Sequence, residues 1–362
     1  MIVTEFIPKQ GLCTLTIESP DDLWTLRRLL APGDTVVTKS SRVSKREGEY
    51  SRPDKGERVK VTIALRVETV SLDSSVDRLR VRGKIVEASD DSVTKAGSHS
   101  LLISSGQELT LQKEKWTGED TRILHASSAD EGRRFLLVAI DRREAGIGLL
   151  TGSHLTVVTT VESGASGKGG NGKEVDMQPY FRKVVEILKA SWREKDVVVL
   201  GGPGNTKLTM ENWVHKDPDL KKNAVLVEGF DLSGPDGVRA LVKSDGFRKV
   251  ASDSVLVEVQ ETVEEAIRRI SRGERRIAYA FPRVREAAIV GAVEKCVVSD
   301  DVFSSNIDEN ALVETLNLIE EKGGRVFLCD SSLETGKQVS SLGGIVALLR
   351  YDLSGGSPAT LR

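Results

Sequence analysis

The sequence predicts a multidomain α+β protein, and three observations predict it. Short strands alternating apolar with charged residues run up to Leu124. A continuous apolar run over residues 135–140 then opens an alternation of strands and helices, and from Thr262 onward helix and strand follow one another regularly. A chain of 362 residues has room for two or three domains, and 39% hydrophobic residues suffice to build their cores.

The first block starts with a helix. Ser19 is a natural N-cap, Pro20 suits the first helical position, Asp22 completes a Ser-x-x-Asp box, and Leu23, Leu26 and Leu30 recur at helical spacing. Pro32 and Gly33 stop it. Asp21 and Asp22 are explained by the helix dipole, which favours carboxylates in a first turn, so they are not read as metal ligands. Residues 35–38 read as a strand. Val59, Val61, Ile63, Leu65 and Val67 alternate with Lys60, Thr62, Ala64, Arg66 and Glu68, a half-buried strand of period two. The interval between these strands has no apolar anchor. It carries Lys39, Arg42, Lys45, Arg46, Arg52, Lys55 and Arg58 against Glu47, Glu49, Asp54 and Glu57, with Tyr50 as a candidate stacking ring. Two readings compete: a solvated hairpin, or a loop whose cations bind RNA phosphates and displace counterions. Further on, Leu79, Val81 and Ile85 alternate with Arg80, Arg82 and Lys84, and Leu109 and Leu111 precede Trp116, as in a small β-barrel. The polar residues 127–134 read as a linker.

In the second block, residues 135–140, 147–150 and 155–161 are strands, Tyr180, Val184 and Leu188 share a helical face, and residues 197–200 and 225–227 are short buried strands. In the third, residues 264–272 are helical up to Gly273, and Pro282 opens a helix that closes before Gly291. Residues 295–298 form a strand, residues 308–322 a helix stopped by Gly323 and Gly324, and residues 325–328 another strand. The tail SGGSPATLR is expected to be disordered.

Charge and targeting narrow the function. A net charge of −2 and a pI near 6.2 argue against a protein that coats nucleic acid non-specifically, so RNA binding must come from local patches. No run approaches the ~18 apolar residues of a membrane span, and MIVTEFIPKQ lacks a signal-peptide core, so the expected location is cytoplasmic. Cys13, Cys296 and Cys329 lack zinc or disulfide spacing and are expected to be buried thiols, with Cys296 and Cys329 both in strand-like runs. His99, His125, His154 and His215 are too scattered for a metal cluster. Heavy charge with few Asn, Gln and Cys is compatible with a thermophile.

Three segments are candidates for chemistry. Residues 163–174, SGASGKGGNGKE, mimic a P-loop, but Glu174 stands where magnesium binding needs Ser or Thr, which argues against nucleotide hydrolysis. Gly169-Gly170-Asn171 stands in that same loop, and the chain contains no Gly-Gly-Gln. GGPGNTK, residues 201–207, follows a buried strand and at the least makes a tight strand-to-helix turn. Asp141, at the end of the run LLVAID, is the candidate for nuclease chemistry, because a strand-end carboxylate can hold a divalent metal when others converge on it. Glu144, Asp176, Glu228 and Asp231 are available for that. With Arg142 and Arg143 next to it, Asp141 also fits a surface salt bridge.

Several stretches together resemble the Pelota family of ribosome-rescue factors, relatives of peptide release factors. These are SPDDLWTLRRLLAPGDTVVTKSSRVSKREGEYSRPDKGERVKVTIAL, GSHSLLISSGQELTLQKEKWTGEDTRIL, GGPGNTK, EKCVVSDDVF and GGRVFLCDSSLETGKQVSSLGGIVALLRY. The resemblance implies three domains: an Sm/SH3-like β-barrel over 1–128, an RNase-H-like α/β domain over 134–258, and an α/β/α domain of the kink-turn-binding ribosomal-protein type over 262–353. It implies recognition of stalled ribosomes in mRNA surveillance (no-go decay) and rescue by subunit dissociation, by a monomer without a membrane role. Its partners would be rRNA and mRNA, an elongation-factor-like GTPase and an ABC-type recycling ATPase. Lys39, Arg42, Lys45, Arg46, Arg52, Lys55 and Arg58 would bind RNA, and Pro203, Gly204, Thr206 and Lys207 would approach the GTPase, although Asn205 replaces an aromatic residue of the usual motif. In release factors the Gln of Gly-Gly-Gln helps deliver water to the peptidyl ester; Asn171 is one methylene shorter, so peptide release is not expected. Binding would need no cofactor. The alternative activity, an endoribonuclease, would need a divalent metal.

Overall fold

The computed structural model describes residues 1–43, 58–73, 78–89, 97–129, 134–164 and 176–353. Strands β1 (Ile2–Ile7) and β2 (Leu12–Thr16) precede helix α1 (Pro20–Leu29). Then come β3 (Thr35–Val43), β4 (Arg58–Leu72), β5 (Arg78–Ala88), β6 (Ser98–Ser104), β7 (Glu108–Gln112) and α2 (Gly118–Ala129). The middle of the chain forms β8 (Phe135–Ile140), β9 (Glu144–Thr151), β10 (His154–Glu162), α3 (Gln178–Ser191), β11 (Val197–Gly201), α4 (Thr206–Val214), β12 (Ala224–Leu226), α5 (Gly234–Leu241), α6 (Asp245–Val250) and α7 (Val255–Ser271). The last stretch forms β13 (Ile277–Tyr279), α8 (Phe281–Ile289), β14 (Val293–Ser299), α9 (Glu309–Glu321), β15 (Arg325–Cys329), α10 (Glu334–Ser341) and β16 (Ile345–Leu349). These elements divide into two compact units, Met1–Glu131 with Phe281–Gly291 and Asp300–Arg325, and Gly132–Ala280 with Ala292–Ser299 and Val326–Arg362.

In the first unit seven strands form one antiparallel sheet in the order β1-β2-β7-β3-β4-β5-β6, the β-rich domain expected from the alternating residues. Leu15, Val36, Ile63, Leu65, Leu79, Val81, Ile103 and Leu111 are fully excluded from water. Helix α1, with Leu23, Leu26 and Leu29 equally buried, touches β4, β5 and β6. Its start follows the expected box: the Asp22 carboxylate accepts the Ser19 N–H at 3.2 Å and the Glu18 N–H at 2.8 Å. Asp22 also accepts the N-terminal ammonium at 2.7 Å, while burial, the larger influence, raises its pKa above the ordinary carboxylate value. The last turn of α1 meets α9: Arg27 pairs with Glu309 and Asn310, and Arg28 pairs with Asn317 at 2.7 Å and Glu320 at 2.5 Å. Gly83 is dictated by close approach, since a Cβ there would lie 1.8 Å from the Arg66 carbonyl oxygen, beside a bulge in the β4–β5 ladder.

The second unit contains a five-stranded sheet, β10-β9-β8-β11-β12, in which β8 runs antiparallel to β9 and parallel to β11. All six residues of β8 are buried because both faces are covered. Phe135, Leu137 and Ala139 join one core with residues of α5, α6 and α7; Leu136, Val138 and Ile140 join another with residues of α3 and α4. A further sheet, β13-β16-β14-β15, packs with α7 and α10 around Val263, Val297, Val339 and Val346.

Three differences from the sequence reading are instructive. Helix α2 continues to Ala129, into the stretch read as linker, because polar residues suit a half-exposed helix as well as a loop. Helix α7 starts at Val255, where Ser254 accepts the Val257 N–H, so the boundary expected between 258 and 262 falls inside a helix whose residues serve two cores. Strand β13, three residues long, is too short to show periodicity. The expected tail disorder, over residues 354–362, lies outside the described residues. The three cysteines are buried, and burial pushes the Cys13 thiol up to about 11. Among the described residues, no helix is long and apolar enough to cross a membrane.

Candidate nucleic-acid interface

The basic interval of the sequence is mounted on the β3–β4 hairpin. Register runs without interruption from Thr35 opposite Arg66 to Val43 opposite Arg58, a nine-pair ladder. At the open end Arg42 faces Val59 across the ladder and Arg58 faces Val43, so these two cationic positions become neighbours although 16 residues apart. Lys39 lies on β3, exposed, opposite Thr62. Lys45, Arg46, Arg52 and Lys55 lie outside the described residues. The ladder is anchored where β3 meets the core: Val36 is fully buried, and the Thr38 hydroxyl donates to the Glu108 carbonyl oxygen at 3.0 Å. A segment leaving such a ladder starts from a fixed point, which lowers the entropy lost when its cations meet phosphates.

GGPGNTK forms the turn between β11 and α4 and sets Pro203, Gly204, Thr206 and Lys207 side by side. Gly202 has φ 142°, and a Cβ on it would meet the Ile140 carbonyl oxygen at 2.0 Å, so only glycine lets the chain leave the sheet against β8. Gly204 is exposed in the left-handed region at φ 62°. Asn205 starts α4 without a side-chain cap, its carbonyl oxygen accepting the Leu208 N–H at 3.1 Å. Thr206 and Lys207 are half-buried in the first turn.

Asp141 closes the tight turn between β8 and β9. Its Oδ1 accepts the Arg143 N–H at 2.7 Å and the Glu144 N–H at 2.8 Å, and its carbonyl oxygen accepts the Tyr180 hydroxyl at 3.1 Å. Burial first, and then the negative charges of Asp141 and Glu144, push the Tyr180 phenol pKa far upward, so it stays a donor. The backbone N–H groups of the turn thus hold the Asp141 carboxylate, where the sequence had suggested a salt bridge or a metal. Glu144 lies against Gly234, Asp176 accepts the Gln178 N–H at 2.9 Å, and Glu228 and Asp231 are exposed. Among the described residues, no three His, Cys, Asp or Glu side chains converge to hold a metal ion. The P-loop-like residues 165–174, including Gly169-Gly170-Asn171, lie outside the described residues.

Comparison with known proteins identifies the frame carrying these features. Residues 2–128 match the model of the Pelota N-terminal domain, and residues 256–353 match domain 3 of the release factor eRF1. The pelota homolog of Nitrosopumilus maritimus is 37% identical over 345 residues, covering 95% of this chain and 97% of that protein. The chain belongs to the pelota family. The pelota homolog of Cenarchaeum symbiosum is 34% identical over 334 residues, 92% of this chain and 95% of that one. The crystal structure of Archaeoglobus fulgidus Pelota matches with 27% identity and a TM-score of 0.52, covering 98% of this chain and all of that one. Within the pelota frame, Lys39, Arg42 and Arg58 fall inside the N-terminal domain match, whereas Asp141 and the 203–207 turn fall between the two matched segments. One cationic feature goes beyond the sequence expectation: the exposed residues of β5 include Arg78, Arg80, Arg82 and Lys84, of which the alternation had marked Arg80, Arg82 and Lys84 only as signs of a strand.

Proposed function

We propose that this pelota-family protein recognises stalled ribosomes in mRNA surveillance (no-go decay) and rescues them by subunit dissociation, acting in the cytoplasm without releasing peptide. What carries the reading is the basic segment held on the nine-pair β3–β4 ladder, in a chain that follows its pelota relative over nearly its full length. Lys39, Arg42, Lys45, Arg46, Arg52, Lys55 and Arg58 supply the RNA contacts, with affinity set by counterion release. The turn bearing Pro203, Gly204, Thr206 and Lys207 offers a partly exposed, conformationally fixed face to an elongation-factor-like GTPase, and an ABC-type ATPase supplies the hydrolysis that separates the subunits. The protein binds as a monomer and needs no cofactor of its own. Endoribonuclease chemistry at Asp141 has less support, because that carboxylate already accepts two backbone N–H groups.

The test is sedimentation with ribosomes stalled on truncated mRNA, with and without the GTP-loaded partner and the ATPase. Cosedimentation is expected, with the salt slope falling by roughly one per cation when Arg42, Lys45 and Arg46 are neutralised. Sedimentation apart from stalled ribosomes at low salt, even with the GTPase present, would refute the proposal. Stop-codon-dependent peptide release by the purified protein would refute its non-hydrolytic part.

A further inference from the structure

The outward face of β5 carries Arg78, Arg80, Arg82 and Lys84 at alternate positions, all exposed, while Leu79, Val81, Gly83 and Ile85 between them are buried. Side chains two residues apart on a strand lie about 7 Å apart, so the four cations form a row roughly 20 Å long. Register adds a fifth, since Arg66 of β4 stands directly opposite Lys84. Like charges directly opposite in a sheet destabilise it. Acidic compensation is confined to the Lys84 end, where Glu68 lies 4.0 Å away with both groups exposed and exposed Glu87 follows on β5; among the described residues the guanidinium groups of Arg66, Arg80 and Arg82 have no ion-pair or hydrogen-bond partner. On the other flank, β6 sets Ser98 opposite Lys84 and Ser100 opposite Arg82, both exposed. In a chain of net charge −2, a row whose arginines lack acidic partners is a local exception.

We propose that Arg66, Arg78, Arg80, Arg82 and Lys84 form a track for the phosphate backbone of double-helical RNA, separate from the β3–β4 loop. Arginine predominates, and its planar fork suits phosphate oxygens better than lysine does. Flanking serine hydroxyls suit phosphate and 2′-hydroxyl contacts. A single strand would call for aromatic stacking platforms, and this face presents no Phe, Tyr or Trp from β4, β5 or β6. The track is distinct from the loop because Arg58, where the loop rejoins β4, is eight residues from Arg66. That is roughly 26 Å of strand, too far for one phosphate to serve both.

The experiment titrates the full chain against a fluorescent RNA duplex of about 20 base pairs, from roughly 50 to 200 mM salt. Replacing Arg80 and Arg82 by Gln should weaken binding several-fold at low salt and reduce the slope of log affinity against log salt by about two. Arg80→Lys with Arg82→Lys should keep the slope, which separates charge from a folding defect. Unchanged duplex binding by the Gln variant would overturn the proposal. So would a variant that keeps duplex binding but loses binding to a polyglutamate peptide, which would assign the track to an acidic protein instead.

Discussion

Strands β5 and β8 sit in sheets with opposite surroundings. Along β5 exposed and buried residues alternate, because the sheet of the first unit has one face turned to solvent; along β8 all six residues are buried, because helices cover both faces. A sheet covered on both sides has no face left for a partner, so its candidate chemistry moves to the strand ends, where Asp141 and the 202–207 turn follow β8 and β11. A sheet covered on one side can present a row of side chains set by the pleat. The position of a functional group therefore follows from how many faces of its sheet are dry.

The largest expected effect tests the covered sheet. Phe135 packs edge-on against Phe247, ring centroids 5.2 Å apart and both fully buried, so Phe135→Ala should cost about 3–5 kcal/mol in denaturant unfolding. A loss below about 1 kcal/mol would mean that the covered core tolerates a cavity, which the comparison denies. Next comes the strand end. Gly202→Ala sets a Cβ against the Ile140 carbonyl oxygen in a backbone region that L residues rarely adopt, and should cost about 1–3 kcal/mol by the same measurement.

A smaller, pH-dependent effect belongs to the rim. Lys189 bonds Asp217 at 2.8 Å, and chiefly this hydrogen bond holds the Asp217 carboxyl below its ordinary pKa. A depressed carboxyl contributes stability above its unfolded pKa of about 3.9, and that contribution disappears as pH falls through the lower folded value. Asp217→Asn should therefore melt below the parent protein at pH 7, and the two curves should converge in acid; a gap that stays constant with pH would show that charge is not the cause. The smallest effect is on the open face. Arg82→Gln should change stability by no more than about 0.5 kcal/mol, with any change stabilising, since it removes a like-charge neighbour. A large loss there would mean that the arginine is part of the fold, not free for a partner.

Much of this was legible in the residues themselves. The α1 box at Ser19–Asp22, the alternation along β4 and β5, the apolar run of β8 and the helix stop at Gly273 follow from local periodicity and capping, which act within a few residues. The charge of the basic segment was also plain. Three things were not: that Asp141 would be held by the N–H groups of its own turn, that α7 would serve two cores, and that Arg66 would face Lys84 across a bulged ladder. Composition and period are properties of a strand or helix by itself, so the sequence alone determined which residues are apolar, cationic or turn-forming, and hence the elements. Which of those residues meet depends on register, bulges and the number of covered faces. These arise from packing between segments distant in sequence, and only the tertiary structure decided them.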